Sequence, residues 1–164
     1  GHARLAPLGA AGPEVITLAR KNARMRITVR GLDRRIPEDR YYLTVEIPND
    51  GYDFVGNPIA GTARVRRTGA FHDNGDFSTD EAFNLIHTDP AVSPAGGVTV
   101  NLYEKALGRS ADRLIASVTD DDGRPISLPT GRTVNLLIDL NEGGGLSVYT
   151  EITPWDEIYQ WDIW

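Results

Sequence analysis

The side chains with chemistry to offer are three histidines, His2, His72 and His87, a run of acids at Asp120-Asp121-Asp122, and five arginines at positions 24, 26, 30, 64 and 66. The histidines are dispersed, and none falls at the i, i+4 spacing that sets two imidazoles on one helix face for a zinc ion. No Gly-x-Ser-x-Gly turn raises a serine nucleophile. Asp120-Asp121-Asp122-Gly123 concentrates oxygen ligands of the kind a calcium ion accepts, but the EF-hand spacing and its closing Glu are missing. Asp-Gly is also the strongest short hairpin signal, so a solvated hairpin tip is expected there. Gly143-Gly144-Gly145 follows a strand-like run and no helix opens after it, which leaves nothing to cradle a phosphate. The chain therefore reads as a non-enzyme, with no catalytic, cofactor-binding or metal-ligating residues expected.

Two further groups offer binding chemistry. Arg24, Arg26 and Arg30 with Arg64 and Arg66 offer a basic stripe across one sheet face. The plainer reading is a charge-laced solvent face, because a net charge of -6 opposes any large positive field. Tyr41, Tyr42, Tyr52, Trp155, Tyr159, Trp161 and Trp164 supply rings that can stack on sugars or anchor a partner. Core packing is the plainer role for most of them.

The elements that must position these groups read as strands. In Val15 to Leu32, Met25, Ile27 and Val29 alternate with Arg24, Arg26, Thr28 and Arg30, a period of two that marks a strand with one buried face. Ile16 and Leu18 carry the apolar positions of its first half, and Ala19-Arg20-Lys21-Asn22 interrupts the register as a bulge or sheet crossing would. Tyr41 to Ile47 alternates next, and Pro48-Asn49-Asp50-Gly51 is expected to stop it. Tyr52 to Val55 and Thr62 to Arg67 are shorter strands around Gly56-Asn57-Pro58. Ser78-Thr79-Asp80-Glu81 satisfies a capping box, so residues 79 to 86 are either a short helix or, from Phe83 to His87, a strand. Val98 to Tyr103, Arg113 to Thr119, Thr133 to Leu140 and Leu146 to Ile152 alternate in turn. The tail, Glu157 to Trp164, is strand-like as well.

These short strands, with few helical windows, predict an all-β antiparallel sandwich with at most one short helix. At 164 residues it is one domain, able to bury roughly 70% of the surface an unfolded chain exposes. Residues 3 to 13 are small and punctuated by Pro and Gly, so 1–13 is read as a linker or arm and 14–164 as a single domain. Gly1-His2 resembles a cloning remnant, which points to a piece of a longer protein. No cysteine is present, so no disulfide framework or thiol chemistry is available. The acidic balance argues against a nucleic-acid partner.

Two stretches carry a resemblance. Val15 to Val29 resembles the segment that opens the C-terminal domain in FimB-like fimbrial anchor and minor subunits of Bacteroidetes, within the fimbrillin superfamily. Ile152-Thr153-Pro154-Trp155 followed by an alternating run is similar to the ends of such proteins. Gly51 to Gly56 and Val98 to Tyr103 also fit. The resemblance implies a two-domain, transthyretin-like β-sandwich lipoprotein, exported and held at the outer membrane through an upstream lipid anchor. Its role there is to anchor or regulate a fimbria (pilus), and its partners are fimbrial subunit proteins and a missing N-terminal domain. Sheet physics then supplies a mechanism, because an open edge accepts a strand donated by a neighbour. The candidate association strand is Ile158, Tyr159, Gln160, Trp161, Asp162, Ile163 and Trp164; the candidate edge strand holds Ile16, Leu18 and Arg20. The alternative is a cell-surface glycan-binding β-sandwich module that uses the tyrosine and tryptophan rings.

Overall fold

The computed structural model describes residues 20–79, 81–89, 96–108 and 110–161. Its first strand, β1 (Ala23–Arg30), is set by the predicted alternation: Ala23, Met25, Ile27 and Val29 are fully buried, while Arg24, Arg26 and Arg30 point the other way. A 3-10 turn, Glu38–Arg40, precedes β2 (Tyr41–Tyr52), which pairs with β3 (Pro58–Arg67). The chain crosses to the opposite layer at Thr68 and forms β4 (Gly69–Phe71), β5 (Phe77–Thr79) and β6 (Phe83–Leu85). Next come β7 (Thr99–Glu104), β8 (Arg113–Val118), the small hairpin β9 (Asp120–Asp121) and β10 (Arg124–Pro125), then β11 (Arg132–Leu140) and β12 (Leu146–Pro154).

The strands form two layers. The first sheet runs β12-β11-β1-β5-β4, with β6 also on β1, and the second runs β3-β2-β7-β8. The fold is the all-β sandwich read from the sequence, with one local departure from antiparallel order. β1 and β11 pair in parallel, from Arg24 opposite Thr133 to Arg30 opposite Asp139, and every other pair among the described residues is antiparallel. A parallel pair needs a long crossover; here the whole second sheet lies between its two strands in sequence. The core fills the space between layers with Met25, Ile27 and Val29 against Leu43, Val45 and Ile47, extended by Leu102, Leu136 and Ile138. Tyr41, Phe71 and Phe77 close one end as three edge-to-face rings, with centroids 5.6–6.1 Å apart.

Several local expectations change. Pro48-Asn49-Asp50-Gly51 does not end β2: the register slips between Ile47 and Asn49 and again between Asn49 and Gly51, and the strand continues. Buried Asn49 justifies the irregularity by donating its side-chain amide to the His87 carbonyl at 3.0 Å. The turn comes later, where the Asp53 carboxylate accepts from the backbone N–H of Val55 and Asn57, so residues 53 to 55 are turn and not strand. The capping-box sequence forms no helix. Ser78 and Thr79 belong to β5, and Phe83 to β6, both laid along one edge of β1 with a two-residue register difference. The Ile27 N–H at the junction is satisfied by Thr79 Oγ1 at 3.2 Å. A polar side chain reading as a cap serves instead to patch a broken ladder.

Candidate functional site

Among the described residues no three His, Asp or Glu side chains gather as a metal site would require, and the features most able to make a specific partner are the sheet edges, where backbone N–H and C=O groups lack a neighbour. The two large sheets present five such edges among the described residues, and four of them are blunted. β4 is three residues long and lies against the 3-10 turn, and its Phe71 N–H donates to the Glu38 carboxylate at 2.8 Å. β6 is equally short. β3 carries Arg64, Arg66 and Arg67 and two register slips. β8 bulges at its pairing with Leu102 and Tyr103, and Arg113 at its start is paired with Glu104.

β12 is different. It pairs with β11 over nine residues without a slip, from Arg132 opposite Pro154 to Leu140 opposite Leu146, and Glu151 is its one charged side chain. The Thr150 N–H points away from β11 and donates to Asp121 Oδ2 at 3.2 Å, and the Thr150 hydroxyl donates to the same oxygen at 2.6 Å. Alternation then turns the N–H groups of Val148 and Ile152 outward as well. Asp121 thus stands where the carbonyl of a paired strand would stand. Beside it a cavity of about 470 Å³ opens between β12 and the β9–β10 hairpin, lined by Asp121, Arg124, Ile126, Val134 and Ile152. Leu146, Tyr149 and Ile152 are each about half exposed along this strand.

The tail leaves β12 and crosses the outer face of the first sheet without joining a ladder. The Trp155 carbonyl accepts from Arg24 Nη1 at 2.7 Å and from Thr133 Oγ1 at 2.9 Å, and its indole lies under the Arg20 and Arg24 guanidinium groups at 4.7 and 5.2 Å. Thr153 Oγ1 donates to the Glu157 carbonyl, and the Tyr159 N–H donates to Asn135 Oδ1 at 3.1 Å. Residues 157–161, expected as strand, are therefore irregular backbone held by side chains. Of the candidate association strand, Ile158 and Tyr159 are partly exposed, Gln160 is exposed and Trp161 is half-buried, while Asp162, Ile163 and Trp164 lie outside the described residues. Of the candidate edge strand, Ile16 and Leu18 also lie outside them, and Arg20 is an exposed residue stacked on Trp155, outside any strand.

The arginines make no single stripe. Arg24, Arg26 and Arg30 lie on the outer face of the first sheet, and Arg64 and Arg66 on the outer face of the second. Arg30 is paired with Asp76, Arg64 with Glu46, and Arg66 stacks 3.8 Å from the Tyr42 ring centroid. Tyr42 donates its hydroxyl to Asp112, which holds that carboxyl below its ordinary value and pushes the phenol above its own. Asp120-Asp121-Asp122-Gly123 is the hairpin tip expected, with positive φ at Asp122 and Gly123, the geometry of a type I′ turn. Its use as a cap on the β12 edge went unread in the sequence, where Asp121 is separated from Thr150 by 29 positions and carries no local signal for that contact.

Comparison with known proteins gives this architecture a family. The chain is 29% identical over 157 residues to the major fimbrium anchoring subunit FimB of Porphyromonas gingivalis, an alignment that takes in 90% of this chain and 47% of that protein. It thus spans about half the length of that relative. Among solved structures, the fimbrial anchor protein Mfa2 from the same organism superposes with a TM-score of 0.48 at 13% identity, over 82% of this chain and 47% of that one. The sequence model of fimbrillin-A associated anchor proteins Mfa1 and Mfa2 matches residues 9–161, nearly the whole length, and the chain belongs to that family.

Proposed function

We propose that this chain is part of a fimbrial anchor or accessory subunit at the bacterial cell surface and that it joins fimbrial subunits by strand association. The observation that carries the reading is the long, regular, outward-facing edge of β12 with a cavity beside it. An added strand would displace Asp121 from Thr150, pair with the groups of Val148, Thr150 and Ile152 and place alternate side chains in that cavity, gaining affinity from the main chain and specificity from the pocket. Membership in a family described by its anchor proteins, and a relative named as an anchoring subunit, support the same role. The tail from Ile158 to Trp164 is the proposed donated strand, since its described part lies outside any ladder and is held by few bonds. Ile16 and Leu18 are the proposed second edge, with Arg20 beside them against Trp155. A preceding domain and an upstream lipid anchor at the outer membrane complete this reading.

The test is recovery of fimbrial subunits from the native cell envelope with the full-length protein, read by mass spectrometry. Ile152→Pro removes one outward N–H without touching the β11 ladder, as edge strands tolerate. We expect that variant, and separately deletion of Ile158 to Trp164, to reduce recovery of fimbrial subunits severalfold while the protein stays folded by circular dichroism. Undiminished recovery in both variants would remove strand association from the reading.

A further inference from the structure

The outer face of the first sheet holds a second, smaller feature, present while the tail lies on its own sheet and not when it is donated, that the β12 edge does not use. The β4–β5 turn, the outward side chains of β1 and the crossing tail enclose a cleft of about 120 Å³. Arg26 enters it from β1 and is half-buried. Its Nη2 donates to Ser78 Oγ at 3.1 Å, and among the described residues it has neither another hydrogen bond nor a carboxylate partner. Burial pushes this guanidinium below its ordinary range, and among the described residues no acid acts in the opposite direction. The acid lining the same cleft, Asp76, is taken by Arg30 through two bonds of 3.1 and 3.2 Å, with its carboxylate almost fully covered. A guanidinium carries five donors in a planar fork, so most of the Arg26 fork is unspent. Partial burial of a charge without a partner is costly, which an incoming anion would offset.

The rest of the cleft says which anion. Ser78 Oγ also contacts His72 Nε2, the Thr28 hydroxyl has no protein partner among the described residues, and the Asn74 side chain lines the rim. One wall is the Trp161 indole, itself held by Tyr159 at 4.8 Å and Tyr149 at 6.4 Å between ring centroids. We propose that this cleft, walled by Arg26, Thr28, His72, Asn74, Ser78 and Trp161, binds the carboxylate end of an acidic sugar such as a hexuronate. The planar fork matches a carboxylate with two parallel bonds. The hydroxyl and amide groups suit the adjacent sugar hydroxyls, and the indole suits the apolar C–H face of the ring. At about 120 Å³ the cleft has room for the carboxylate and the near edge of one sugar, the remainder lying along Trp161 in solvent.

The experiment is a titration of the ¹⁵N-labelled chain with glucuronate, glucose, acetate and inorganic phosphate, followed by amide and indole N–H shifts. Glucuronate is expected to give saturable shifts at Arg26, Ser78 and the Trp161 indole, with glucose, acetate and phosphate each binding at least about tenfold more weakly. Arg26→Gln should weaken glucuronate about ten- to a hundredfold, the loss of a charge-assisted pair, and Arg26→Lys, which keeps the charge but not the fork, should fall between. Trp161→Ala should weaken glucuronate and leave acetate unchanged, and it carries the test should the spectrum of the Arg26→Gln protein show a disturbed fold. No saturable glucuronate shifts at these residues, acetate or phosphate binding as well as glucuronate, or glucuronate affinity indifferent to either the Gln or the Ala variant would each overturn the proposal.

Discussion

Asp121 is the single carboxylate on which the exposure of β12 turns. Its Oδ2 takes both the backbone N–H and the hydroxyl of Thr150, so one side chain imitates a strand partner and leaves the neighbouring groups unmatched. Asp121→Ala should lower stability by about 0.5–1.5 kcal/mol, the net value of such bonds, as read by urea denaturation. The more telling expectation is increased self-association at high concentration in sedimentation velocity, since an uncapped edge is a pairing template. The Tyr42–Asp112 bond belongs to the same scale. A carboxyl held below its ordinary 3.8 stabilises the fold above that value and loses the contribution as pH falls through the lowered one. The phenol, raised above 10.0, contributes below that value and loses its contribution as pH rises through the raised one. Tyr42→Phe should therefore cost stability at neutral pH and make the difference from the parent shrink at both the acid and the alkaline ends, as seen in melting temperatures taken across pH.

Among the elements, the tail and the first turn obey different constraints. From Ile158 onward the described tail is tied by the Tyr159 N–H bond to Asn135 and by the ring cluster of Tyr149, Tyr159 and Trp161, and by no ladder. Removing residues 158–164 should leave the sandwich folded with a loss of about 1–2 kcal/mol, a prediction that thermal melting of the truncated chain checks directly. The connection out of β1 has no such latitude. Gly31 sits at φ +94°, and a Cβ there would lie 2.5 Å from the Leu140 carbonyl oxygen. Gly31→Ala should destabilise by more than about 1 kcal/mol, through both the left-handed backbone and the clash with the end of β11, as read in denaturant midpoints.

Across the whole molecule the parallel pairing of β1 with β11 is the closure of the fold. Positions about a hundred apart in sequence, such as Arg24 and Thr133, become neighbours, so the first sheet is complete only when the second has been threaded between them. Ile27 lies at that closure, fully buried against both layers. Ile27→Ala should cost about 2–5 kcal/mol and lower the melting temperature accordingly.

The sequence by itself determined the strands and their two faces. Met25, Ile27 and Val29 alternate with Arg24, Arg26 and Arg30 because a strand turns successive side chains to opposite sides, and the Asp122-Gly123 hairpin followed from backbone conformations available to Asp and Gly. Those are local properties, settled within a few residues. The resemblance carried by Val15 to Val29 and by Ile152 to Trp155 pointed to the right family for the same reason, since it rests on short patterns. Tertiary structure alone decided which strands are edges, that the Ser78–Thr79 cap would patch a ladder, and that Asp121 would stand over Thr150. It also decided that the run after Pro154, alternating as a strand does, would lie across a sheet and wall a cleft around Arg26. Pairing partners, unlike facing, depend on which distant backbone groups remain unsatisfied once the layers close, and no window of sequence contains that information.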